Sequence, residues 1–136
     1  MSINVELGKI LVIEDNRDSR DILAKLLRMS GYDVMSANDG EAGLAEALKQ
    51  EPDLIITDIH MPNMNGIEFV KRVRNDRALD KTPVLVVTAF GANVAREAID
   101  AGADAAAEKP FDFDRFLLTV EKLMDKRKSP AARQAD

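Results

Sequence analysis

The chain has 136 residues, 46 % of them apolar and 32 % charged, with a formal net charge of −5 and no cysteine. That length suits one domain with a real core; the acidic balance and the lack of a long basic run disfavour nucleic acid as the main partner and a membrane-surface role, and disulfides, Cys-ligated zinc and thiol chemistry are excluded. No stretch approaches the ~18 apolar residues of a membrane span and the N-terminus lacks a signal-peptide core, so the cytoplasm is the default location.

Residues 1–8 read as a loose leader. Lys9 to Glu14 is an apolar run ending in acid, which suits a buried strand. Asn16 can cap a helix to about Met29, with Ile22/Leu26 and Leu23/Leu27 at i, i+4, and Gly31 fits the left-handed position after it. Tyr32 to Ala37 is shorter and more polar, hence an edge strand. Asn38-Asp39-Gly40 turns into a helix over about Glu41 to Lys49. Leu54, Ile55 and Ile56 form the next buried strand; it stops at Asp58, and the turn formers Pro62, Asn63, Asn65 and Gly66 follow. Asn65 with Glu68 resembles a capping pair for a third helix through about Arg74. Residues 75–82 form a polar connection.

Pro83 to Thr88 is another apolar strand, ending in a hydroxyl residue. A helix of about Ala92 to Ala101 stops at Gly102. Ala105 to Ala107 is a weak fifth strand, because alanine has poor strand propensity. Asp112 caps a last helix with Phe113, Phe116, Leu117, Val120, Leu123 and Met124 on one stripe. Strands alternating with helices predict a three-layer α/β fold: a (βα)5 doubly wound parallel sheet with right-handed crossovers. The domain spans 9–127, and residues 128–136 have too little apolar content to fold alone, as a disordered tail or the start of a linker.

In a parallel sheet every strand's carboxyl end lies at one edge, where ligands bind in open α/β sheets. That edge receives Glu14 and Asp15 from strand 1, Asp58 from strand 3, Thr88 from strand 4 and Lys109 from strand 5. Clustered carboxylates repel unless a cation sits among them. An oxygen-only group suits Mg²⁺, which binds through one or two carboxylates plus phosphate. Thr88 and Lys109 would supply donors to phosphoryl oxygens, and a carboxylate is a legitimate covalent nucleophile, so Asp58 is the expected phosphoryl acceptor. Taken singly each residue has a plainer reading: a turn or cap for Asp58, a helix start for Glu14-Asp15, a strand end for Thr88, a solvated charge for Lys109. The signal is their joint placement at strand ends.

With these residues in view, the sequence resembles the receiver domain of bacterial two-component response regulators, of the stand-alone, chemotaxis-regulator-like kind, over about Lys9 to Arg127. The motifs are Val-Ile-Glu-Asp-Asn at 12–16, Asp-Ile-His-Met-Pro-Asn-Met-Asn-Gly at 58–66, Thr-Ala at 88–89, Ala-Gly-Ala at 101–103 and Lys-Pro-Phe at 109–111. The resemblance implies a flavodoxin-like strand order 2-1-3-4-5, Asp58 as phosphoacceptor, and Mg²⁺ held by Glu14, Asp15, Asp58 and the backbone carbonyl of His60. It implies phosphoryl contacts from Thr88 and Lys109, a small Ala89 that keeps the acceptor accessible, and a cis peptide at Lys109-Pro110. The implied phosphodonor is a histidine kinase or histidine phosphotransfer protein. The implied role is a phosphorylation-activated switch that catalyses only its own phosphorylation and dephosphorylation and then changes its binding to a downstream protein.

The family usually carries Tyr or Phe three residues before the lysine; here that position is Ala106, which cannot report by rotating. A shallow depression is therefore expected on the helix 4, strand 5, helix 5 face, with signalling through loop motion after Thr88. Phe90 is either a substitute reporter or an ordinary rim residue. His60, the only histidine, either influences water attack on the acyl phosphate or simply points to solvent. A homodimer through the helix 4 to helix 5 face, and a longer regulator of which this chain is the receiver, stay open. An aspartyl-phosphate phosphohydrolase ranks below the switch, because no second acid follows Asp58 closely and no insertion forms a lid. A flavin or nucleotide binder ranks lower still, because the strand 1 loop lacks a Gly-rich phosphate cradle.

Overall fold

A computed structural model describes residues 7–109 and 112–128, with side chains through residue 125. Ten elements alternate without exception: β1 (Lys9–Ile13), α1 (Arg17–Met29), β2 (Asp33–Ala37), α2 (Gly40–Gln50), β3 (Leu54–Asp58), α3 (Gly66–Asn75), β4 (Val84–Thr88), α4 (Ala92–Asp100), β5 (Ala105–Glu108) and α5 (Phe113–Lys128). All strand pairs are parallel, as the alternation predicts, and the order is β2-β1-β3-β4-β5, as the family resemblance implies. The chain crosses from β1 out to β2 and then back past β1 to β3. The order therefore reverses between β1 and β3, and such a reversal opens a crevice at the carboxyl edge.

Strands β1 to β4 each feed two cores because successive side chains point to opposite faces. Leu11, Ile13, Ile55, Val84 and Val86 pack with Ala47, Phe69, Val70, Val73 and Ala98 from α2, α3 and α4. Ile10, Val12, Leu54, Ile56, Leu85 and Val87 pack with Ala24 and Leu27 of α1 and Phe116, Val120, Leu123 and Met124 of α5. Helices on both sides leave the central strands no wet face, which is why their sequences run apolar rather than alternating.

The expected caps form. Asn16, Asp39 and Asn65 accept from the backbone N–H groups of Ser19, Ala42 and Glu68 at 2.9, 2.7 and 2.9 Å. Asp112 accepts from Asp114 N–H at 2.9 Å, and Gly31 takes φ 104° after α1. Element ends shift by a residue in several places: Glu14 lies just beyond β1 yet donates its N–H to the Ala37 carbonyl, Tyr32 precedes β2, and Ala101 caps α4. Residues 75–82 are less polar in effect than in composition, since Leu79 is buried among α3 and β4 side chains. The predicted cis peptide at Lys109-Pro110, and the outer parts of the leader and tail, lie outside the described residues.

Candidate functional site

Asp58 is the last residue of β3, and the backbone behind it is fixed by close approach. Gly66 opens α3 with its N–H on the Ile59 carbonyl at 2.8 Å. A Cβ at Gly66 would collide with the Asp58 carbonyl and sit 2.8 Å from Ile59 Cα. Only glycine lets the start of α3 approach the exit of β3 this closely. One carboxylate oxygen of Asp58 accepts from the His60 N–H at 3.3 Å and the other from the Lys109 ammonium at 3.0 Å.

Glu14 and Asp15 leave β1 beside it, and one oxygen from each of Glu14, Asp15 and Asp58 lies within 4.8 Å of the others. Lys109 Nζ also donates to Glu14 Oε1 at 3.0 Å. Its own N–H donates to the Thr88 carbonyl at 2.7 Å, which pins the end of β5 to the end of β4. Asp15 is exposed, whereas the Glu14 side chain keeps 8 % of its surface and that of Asp58 13 %.

Burial is the main reason the Glu14 carboxyl rises from 4.5 to about 7; sharing a hydrogen bond with Asp58 and the negative charge of Asp58 push the same way, against the pull of Lys109. Burial alone would lower the Lys109 ammonium, but hydrogen bonds to Glu14 and Asp58 outweigh it and raise it. Three carboxylates face one ammonium, so the cluster is short of positive charge. The donor set is all oxygen and partly open, so it fits a hard divalent cation.

The seven side chains singled out from the sequence do not all converge. Glu14, Asp15, Asp58 and Lys109 meet. Thr88 is fully buried at the end of β4, and its hydroxyl oxygen accepts from the Phe90 N–H at 3.0 Å. Ala89 is exposed and shares with Glu14, Asp58 and Lys109 a largely apolar cavity of about 610 Å³ that runs along Ile22, Leu23 and Leu26 of α1. Ala106 lies away from the cluster, where it lines an open depression of about 650 Å³ with Glu108, Asp112, Arg115, Phe116 and Thr119. The hollow on the β5–α5 side is thus present.

Two features carried no sequence signal. Arg20 of α1 donates to the Glu14 carbonyl at 2.9 Å and steadies the turn that presents the first carboxylate. His60 and Phe90, considered separately from the sequence, are neighbours: their ring centroids are 4.1 Å apart at 42°.

A doubly wound parallel sheet with an acidic cluster and a lysine at its carboxyl edge defines the receiver class of signalling domain. The family model for the response regulator receiver domain matches residues 10–121. Among curated relatives, the DNA-binding dual master transcriptional regulator RpaA of Synechocystis is 38 % identical over 87 % of this chain, which covers 49 % of that protein. The polar-differentiation response regulator DivK of Brucella ovis is 32 % identical over 85 % of this chain and 94 % of its own length. The structure of the chemotaxis response regulator CheY4 of Vibrio cholerae superposes with a TM-score of 0.79 at 35 % identity, covering 85 % of this chain and 98 % of that one. The chain belongs to the response regulator receiver family. It spans about half the length of several of the regulators that it matches and nearly all of DivK. Receiver domains are signalling switches rather than enzymes of metabolism, and among the described residues no helix is long and apolar enough to cross a membrane.

Proposed function

We propose that this chain is a phosphorylation-dependent switch in which Asp58 receives a phosphoryl group from a histidine kinase or histidine phosphotransfer protein. The observation that carries the reading is the Asp58 carboxylate held by Lys109 at the carboxyl edge, within 4.8 Å of oxygens from Glu14 and Asp15. In the transfer, an Asp58 oxygen forms a bond to phosphorus, the donor's nitrogen–phosphorus bond breaks, and the electron pair stays on the donor imidazole. Glu14, Asp15, Asp58 and the His60 carbonyl are the residues that would hold Mg²⁺, which supplies charge neutralisation as the phosphoryl group approaches. Lys109 sits where it can pass from Asp58 to a phosphoryl oxygen with little movement. The Thr88 hydroxyl would donate a hydrogen bond to a second such oxygen. Ala89 leaves the approach open.

Return to the resting state is attack of water on the acyl phosphate, so the only chemistry attributed to the chain is making and losing its own phosphoryl group. The phosphorylated form would then bind a downstream protein differently, whether the chain works alone or as the receiver of a longer regulator. A cytoplasmic location goes with a kinase partner of this kind. The α4–β5–α5 face, with its hollow at Ala106, is the surface offered for self-association.

The test is incubation with acetyl phosphate and Mg²⁺ followed by intact mass measurement. Wild type gains the mass of one phosphoryl group and Asp58→Asn gains none. Equal gain by both proteins would remove Asp58 from the role.

A further inference from the structure

We propose that the His60–Phe90 ring pair is a latch that reports the state of Asp58, in the place of an aromatic residue on β5; the proposal rests on Asp58 being the phosphoacceptor. His60 stands two residues after Asp58 in the loop leaving β3, and Phe90 two residues after Thr88 in the loop leaving β4. Their rings meet at 4.1 Å, so the pair bridges the two loops that flank the acceptor. Each ring is tied through its own backbone to a side chain that phosphorylation alters. The His60 N–H donates to Asp58 Oδ1, and the Phe90 N–H to the Thr88 hydroxyl oxygen.

The resting arrangement is self-consistent. The Asp58 side chain keeps an oxygen for the His60 N–H, and the Thr88 hydroxyl oxygen accepts from Phe90. Phosphorylation disturbs both ends. Binding phosphorus takes an Asp58 oxygen out of the ionised carboxylate and weakens it as an acceptor. A Thr88 hydroxyl that turns to donate to the phosphoryl group carries its oxygen away from the Phe90 N–H. The loop has somewhere to go: Gly91 follows at φ 90°, with open space where a Cβ would stand, so it accommodates a backbone change that other residues resist. Phe90 is 63 % exposed and its ring leans on the His60 ring, so a modest bias suffices to separate the rings. On β5, Ala106 lines a hollow and carries no ring to move. Phosphorylation therefore frees the Phe90 ring from the rim and re-aims an apolar group beside the acceptor.

His60 is the only histidine, so its ring proton signals need no assignment by mutagenesis. The experiment records nuclear Overhauser contacts between His60 and Phe90 ring protons at one fixed pH, in Mg²⁺ alone and after acetyl phosphate, with intact mass taken on the same sample. Resting protein is expected to show the contact and a His60 ring proton displaced upfield by the Phe90 ring. Phosphorylated protein is expected to lose the contact, with the His60 signal moving downfield. Phe90→Leu is expected to show the downfield position already at rest. No contact at rest, or a contact that persists when the mass shows full phosphorylation, overturns the latch alone. Failure to gain phosphoryl mass overturns the reading of Asp58 and the latch with it.

Discussion

The Lys109 ammonium lies 3.0 Å from Glu14 Oε1, a residue 95 positions away in sequence, and β3 and β4 separate the two strands that deliver them. The contact closes the carboxyl edge from one side of the sheet's centre to the other, and Asp58 sits in its span. Replacing the ammonium by a neutral group leaves Glu14 and Asp58 facing each other without compensation. Lys109→Gln is expected to cost ~1–3 kcal/mol of stability in the absence of divalent cations. Because Glu14 takes up a proton below about 7, the loss should be larger one pH unit above that value than one below. Urea unfolding of both proteins at the two pH values measures it, and a loss that is the same at both would contradict the charge account.

Glu14 also sets a pH dependence in the wild type. Its carboxyl is raised to about 7 in the folded chain from 4.5 for an unperturbed glutamate, chiefly through burial. The folded state therefore binds the proton more tightly, and ∂ΔG/∂pH is negative between the two values. Without Mg²⁺ this group's contribution is fully present below 4.5, is lost as pH rises toward about 7, and changes no further above it. A cation reverses the trend, because Glu14 must release its proton to become a ligand. Mg²⁺ affinity should rise with pH up to about 7 and then level off, with proton release seen by calorimetry in buffers of different ionisation heat. Affinity that is flat from about pH 5 to about pH 8 would show that Glu14 gives up no proton on binding the cation.

These properties were legible in unequal measure. The buried strand at Leu54 to Ile56 and the acid that ends it were readable because an apolar run bounded by turn formers has few other homes in a small domain. Joint placement of Glu14, Asp15, Asp58 and Lys109 followed from parallel topology alone. β5 was faint, since three alanines give no strand preference of their own; it exists because each pairs in register with β4, Leu85 with Ala105 through Val87 with Ala107. Invisible in advance were contacts to backbone oxygens, such as Arg20 on the Glu14 carbonyl. The meeting of His60 and Phe90 was equally hidden, because loop conformation decides it.

Gly66 offers a steric test of how Asp58 is held. A methyl group there meets main-chain atoms of Asp58 and Ile59, which cannot swing aside as a side chain would. Gly66→Ala is expected to lower stability by ~1–3 kcal/mol by displacing α3 from the end of β3. It should also slow phosphoryl uptake, because the Asp58 to His60 segment moves with the helix. A urea midpoint and an uptake rate both matching wild type would show that the contact is relieved at no cost.

Arg74 supplies a control at the other edge of the sheet. From the last turn of α3 its guanidinium donates to the carbonyls of Gly102 at 2.9 Å, Asp80 at 3.2 Å and Thr82 at 2.8 Å, and to the Asp104 carboxylate at 2.7 Å. Asp104 Oδ2 accepts the Val84 N–H at 2.8 Å as well, so one pair ties α3, the 76–82 connection and the entries to β4 and β5. The planar fork satisfies several acceptors at once, which lysine cannot imitate. Arg74→Met and Arg74→Lys are each expected to cost ~2–4 kcal/mol. Asp104→Asn keeps an oxygen for Val84 and should cost ~1 kcal/mol. Val84 and Asp104 stand at the amino ends of their strands, a full strand length from the Asp58 rim. Folded Arg74→Met should therefore take up phosphoryl groups from acetyl phosphate at a rate close to wild type while unfolding at lower urea. A large fall in uptake with little loss of stability would mean that this clamp and the acidic edge are coupled through β4, against the separation of roles drawn from their positions.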